Sequence, residues 1–132
     1  MPEGPSSLLV VDDEEPIRAA LARYLTQQGY EVSTAASGEE ALAILGRQKI
    51  AGMLLYVRMP GQSGIDLVPQ ALELEPPLAI LMLTAVTEAT TAALCMQRGA
   101  MDYLVKPVDL QDLERAIGRA IARRRDLIEQ AE

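Results

Sequence analysis

Three segments of this chain are nearly uninterrupted apolar runs: Leu8-Leu9-Val10-Val11, Met53-Leu54-Leu55-Tyr56-Val57 and Leu78-Ala79-Ile80-Leu81-Met82-Leu83. A strand with one wet face alternates polar and apolar side chains, so runs like these indicate parallel strands covered on both faces. With the weaker candidates 31–35 and 103–106, the expected strands are 8–12, 31–35, 53–57, 78–84 and 103–106. Helix-period segments separate them, at about 14–28, 38–47, 64–75, 88–98 and 110–128. Gly29 and Gly99 stand where helices want left-handed caps, and Ser37 can cap the second helix.

Strand and helix thus alternate through five units, without a repeat of fixed sequence period. Right-handed crossovers place helices on both faces of such a sheet, so the expected fold is α/β, an open doubly wound five-stranded parallel sheet. Ligands bind this architecture outside the carboxyl ends of the strands. Asp12, Asp13, Tyr56, Thr84 and Lys106 all fall at those ends and are expected to meet in one shallow cleft.

Composition narrows the chemistry. The chain has 132 residues, about half of them apolar, enough for one ordinary core without disulfides. A net charge of -7 argues against direct nucleic-acid binding, which needs a basic excess. The absence of histidine removes Ser-His-Asp and Cys-His catalysis and His-containing zinc sites. Cys95 has no partner for an internal disulfide and is expected to pack in the fourth helix. No signal peptide or membrane-length apolar run is evident, so a cytoplasmic setting is expected.

Taken singly, Asp12-Asp13 is a turn pair, Thr84 a helix-capping hydroxyl, Tyr103 half-buried strand packing and Lys106-Pro107 a strand terminus. Together, four motifs alter that reading: Val10-Val11-Asp12-Asp13-Glu14; Val57-Arg58-Met59-Pro60-Gly61 with Ser63-Gly64; Leu83-Thr84-Ala85; and Gly99-Ala100-Met101-Asp102-Tyr103-Leu104-Val105-Lys106-Pro107. In this order and spacing, over about residues 8–123, the chain resembles the receiver domain of bacterial two-component response regulators. The resemblance implies the flavodoxin-like strand order 2-1-3-4-5. It also implies a magnesium site at Asp12, Asp13 and the Arg58 backbone carbonyl, with a cis peptide before Pro107. An aspartate at the end of the third strand takes a phosphoryl group from a histidine kinase in this family. Thr84 and Lys106 would bind that group, drawing the hydroxyl inward and letting Tyr103 turn in behind it.

At the phosphoacceptor position this chain carries Tyr56. A carboxylate can ligate magnesium and attack phosphorus, whereas a phenol is neutral at pH 7 and a poor ligand for a hard cation. Magnesium is therefore expected to be weak or absent, with Asp12 and Asp13 facing Lys106 and the Tyr56 ring partly filling the cleft. The expected function is a non-enzymatic, phosphorylation-independent signalling module acting by protein contacts. An alternative keeps phosphotransfer at another acceptor, Asp12, Asp13, Ser63, Thr84 or Tyr56 itself. A flavodoxin-like cofactor binder is more remote, since no Gly-rich or Ser/Thr-rich phosphate loop follows Val11.

The expected partners are a histidine kinase or other signalling protein and a second copy of the chain. Residues 89–96 carry no charge, so the fourth helix lacks a strongly polar outer face. In the family, the fourth helix, fifth strand and fifth helix form a dimer or effector face. Leu94, Met96, Asp102, Arg115 and Arg119 are the interface candidates. Residues 1–7 are expected to be loose and 8–122 to form the domain; 123–132 extend the last helix as a linker or dimerisation segment. Many relatives continue into an output domain beyond that point.

Overall fold

The structure, a computed structural model, describes residues 6–57 and 64–131. Arg58 and Ser63 lie outside the described residues. Five strands are present among the described residues: β1 (Ser7–Val11), β2 (Glu31–Ala35), β3 (Gly52–Tyr56), β4 (Ala79–Thr84) and β5 (Asp102–Val105). They form one parallel sheet in the order β2-β1-β3-β4-β5. Five helices alternate with them: α1 (Glu15–Gln27), α2 (Gly38–Leu45), α3 (Gly64–Leu74), α4 (Ala89–Gln97) and α5 (Leu110–Ala131). A 3₁₀ turn, Val86–Glu88, leads into α4. This is the doubly wound architecture expected from the apolar runs, with strand ends shifted by about one residue.

Each apolar run divides between two cores because successive strand side chains face opposite ways. Leu9, Val11, Met53, Leu55, Ile80 and Met82 point toward α2, α3 and α4, where they meet Ile44, Leu67, Val68 and Cys95. Leu8, Val10, Leu54, Leu81 and Leu83 point the other way, onto Leu21 and Leu25 of α1 and Leu113 and Ile117 of α5. Full burial of one such side chain contributes roughly 1.5–3 kcal/mol, and both faces of the central strands collect it. Met96 packs against the first core, which sets it apart from the outward-facing interface candidates.

Local chemistry fixes the helix ends. Ser37 Oγ accepts the Glu40 N–H at 3.2 Å, and the Glu40 carboxylate accepts the Ala36 N–H at 3.2 Å, so α2 starts on a reciprocal cap. Asp109 caps α5 by accepting the N–H groups of Gln111 and Asp112 at 2.9 and 3.0 Å. Gly29 and Gly99 follow α1 and α4 at φ 100° and 124°, where an L side chain is strained. The last turns of α5 continue along the lower edge of the sheet, where Arg124 and Ile128 line a cavity of about 300 Å³ with Ser6 and Ala51. Among the described residues, no helix is long and apolar enough to cross a membrane.

Candidate functional site

The carboxyl ends of β1, β3, β4 and β5 deliver Asp12, Tyr56, Thr84 and Lys106 to one edge of the sheet. Asp12 follows β1 directly and is fully buried. Its Oδ2 receives the Lys106 ammonium at 3.0 Å and its Oδ1 accepts the Glu14 N–H at 2.9 Å. Arg18, one turn into α1, donates to the Asp12 carbonyl at 2.7 Å. A buried carboxylate is tolerated only when paired and hydrogen-bonded, and every acceptor of Asp12 is served in this way.

Tyr56 is half-buried at the end of β3 and packs against both cores. Lys106 Nζ stands 3.8 Å from the centroid of its ring. The ammonium therefore has a carboxylate on one side and an aromatic π-face on another, and both attract a cation. The Lys106–Pro107 peptide is cis. Thr84 is buried, with its hydroxyl donating to the Ala85 carbonyl at 3.0 Å. Tyr103, on β5, is 42% exposed, so its ring is outside the core.

Asp13 and Glu14 are exposed beside Asp12, and one oxygen from each of the three carboxylates lies within 4.8 Å of the others. Oxygen donors of this kind suit a hard divalent ion such as magnesium. Both Asp12 oxygens are already engaged, however, so the donor set fits the ion while Lys106 holds its buried member. Next to this cluster an apolar groove of about 600 Å³ runs between α1 and the segment before α5, lined by Ile17, Ala20, Leu21, Leu83, Pro107 and the Lys106 stem.

Of the five strand-end residues, Asp12, Lys106 and Tyr56 form a chain of contacts and Asp13 lies beside Asp12, while the Thr84 hydroxyl is turned to its neighbouring carbonyl and the Arg58 carbonyl is outside the described residues. Sequence reasoning missed Arg18, Glu14 as third carboxylate and the groove. Arg18 gives no signal of its own, because an arginine in the first turns of a helix is usually solvated. Glu14 stands in the first motif, and its nearness to Asp12 is legible in the run of adjacent acidic residues.

On the other side of β5, Leu94, Tyr103, Val105 and Leu110 are exposed large apolar side chains on α4, β5 and α5. Asp102 and Arg119 pair across this face at 3.6 Å, and Arg115 pairs with Asp112 at 3.2 Å.

The chain belongs to the response regulator receiver domain family, whose model matches residues 8–118. It is 44% identical over 121 residues to the probable transcriptional regulator ycf27 of Porphyra purpurea, covering 92% of this chain and 49% of that protein. The chain thus spans about half the length of such curated relatives. A response regulator receiver domain protein from Clostridium thermocellum has the same fold, with a TM-score of 0.87 at 36% identity over 92% of this chain and 98% of that one. A Burkholderia pseudomallei response regulator, solved with a phosphorylated aspartic acid, calcium ion and citrate, aligns with a TM-score of 0.81 at 30% identity over 96% of this chain and 73% of that one. Receiver domains of this family serve two-component signalling and interact with histidine kinases and other signalling proteins.

Proposed function

We propose that this receiver domain signals by protein contact, without aspartyl phosphorylation at the end of β3. The observation that carries this reading is Tyr56 at the end of β3 with Lys106 over its ring, and we read that position as the phosphoacceptor's. On this reading a phenol stands in place of the carboxylate that would attack phosphorus. Lys106, which would bind the incoming phosphoryl group, is engaged by Asp12 and the ring. Thr84 bonded to its neighbouring carbonyl and Tyr103 outside the core support a resting arrangement of the switch pair.

The contact surface we assign is the α4–β5–α5 face. Its support is the grouping there of Leu94, Tyr103, Val105 and Leu110, four of the five exposed large hydrophobics among the described residues. Asp102, Arg115 and Arg119 add charges of both signs, a pattern that a second copy of the chain can complement. Residues 8–122 are read as the receiver unit and 123–132 as the helical extension leading from it.

Incubation with acetyl phosphate and magnesium, followed by intact-mass measurement, tests the reading. The unmodified chain is expected to gain no phosphoryl group, whereas Tyr56→Asp gains one. Stoichiometric labelling of the unmodified chain, at any acceptor, would overturn it.

A further inference from the structure

We propose that Tyr56 is a positioning residue whose ring seats Lys106 on Asp12, so that the chain's own ammonium stands in for the divalent ion its carboxylates could otherwise bind. This rests on the reading of Tyr56 as occupant of the acceptor position and adds a regulatory role for its ring. Asp12 is the fully buried member of the acidic trio, with one oxygen spent on the Glu14 N–H and the other on Lys106. A metal that uses Asp12 competes with the Lys106 ammonium for that second oxygen, because two cations on one oxygen repel. Lysine is a flexible point charge, and holding it in one place costs side-chain entropy. A surface placed 3.8 Å below the ammonium offsets that cost and biases the lysine toward Asp12 before any ion arrives.

The face of the ring makes this contact, so the role belongs to the aromatic system. Phenylalanine at position 56 keeps the seat and a non-aromatic apolar residue removes it. Neither restores a carboxylate, so acetyl phosphate labelling stays silent in both, and the result is separable from the test of phosphorylation. The released trio of Asp12, Asp13 and Glu14, all oxygen donors within 4.8 Å, would then have one less competing cation.

The experiment is calorimetric titration of magnesium chloride into the unmodified chain, Tyr56→Phe and Tyr56→Leu, together with NMR observation of the Lys106 Nζ protons. Tyr56→Met, also apolar and unbranched at Cβ, is included in case the leucine variant does not fold. Tyr56→Phe is expected to match the unmodified chain in both readouts. The aliphatic variants are expected to bind magnesium about tenfold more tightly and to lose the protected ammonium signal. Unchanged affinity and an unchanged signal in a folded aliphatic variant would overturn the proposal, as would equal gains in the phenylalanine and aliphatic variants.

Discussion

Lys106 and Asp12 form a buried ion pair at 3.0 Å, in which the carboxylate side chain is wholly enclosed and the lysine side chain is 19% exposed. Such a pair is more costly to break than its net contribution to stability suggests, because the surviving charge stays where water cannot reach it. Lys106→Met is therefore expected to lower unfolding stability by about 3 kcal/mol in urea denaturation. Adding Asp12→Asn removes the orphaned charge and is expected to recover a large part of that loss. Equal stabilities for the single and double variants would refute the assignment of the penalty to an uncompensated carboxylate.

The sheet was legible because it rests on a property visible residue by residue: strands enclosed on both faces carry apolar runs, as in Leu78 to Leu83. Strand ends were read about one residue out. Asp12, for example, punctuates the apolar run just past β1: its N–H still bonds the Ala35 carbonyl while its side chain accepts the Glu14 N–H. The residues of the site could be named from motifs, while their mutual geometry could not. Stacking of Lys106 over Tyr56 depends on how β3, β4 and β5 align, a long-range quantity with no local signal. Asp109 as the cap of α5 had no distinct signal, because an aspartate just before a helix serves equally as a turn residue.

The two left-handed glycines should respond differently to alanine. Gly29 at φ 100° has open space around its would-be Cβ, so Gly29→Ala meets only backbone strain, about 1 kcal/mol. Gly99 at φ 124° would place the same atom 2.5 Å from Leu72 Cδ1, so Leu72 must also shift. Gly99→Ala is expected to be the more damaging by about 1 kcal/mol in urea denaturation. A larger loss at Gly29 would contradict the packing between α3 and the end of α4.

Val105, the last residue of β5, is 40% exposed on the α4–β5–α5 face, so a charge there should leave the monomer's fold almost untouched. If two copies meet through that face, Val105→Glu buries an unpaired carboxylate in the dimer and raises its dissociation constant by at least about tenfold. Sedimentation at several concentrations, with thermal melting as a control for folding, checks this. A concentration dependence identical to that of the unmodified chain would remove this face as the dimer contact.

Tyr24 on α1 donates its phenolic proton to Glu114 on α5 at 2.9 Å, tying together two helices on the same side of the sheet. That hydrogen bond, followed by burial and the charge of Glu114, raises the Tyr24 pKa above the usual tyrosine value. Tyr30 is raised as well, first by burial and then by Glu114. A raised pKa in the folded state means that the stability contributed by each phenol is fully present below the unfolded value, about 10, and is lost as pH rises through the folded value. The urea midpoint is therefore expected to hold steady at neutral pH and to fall as pH rises past about 10, since the unfolded chain releases these protons first. Tyr24→Phe gives up the hydrogen bond at neutral pH but should show a shallower alkaline decline than the unmodified chain. Equal declines would mean that the α1–α5 tie contributes nothing to the pH dependence of folding.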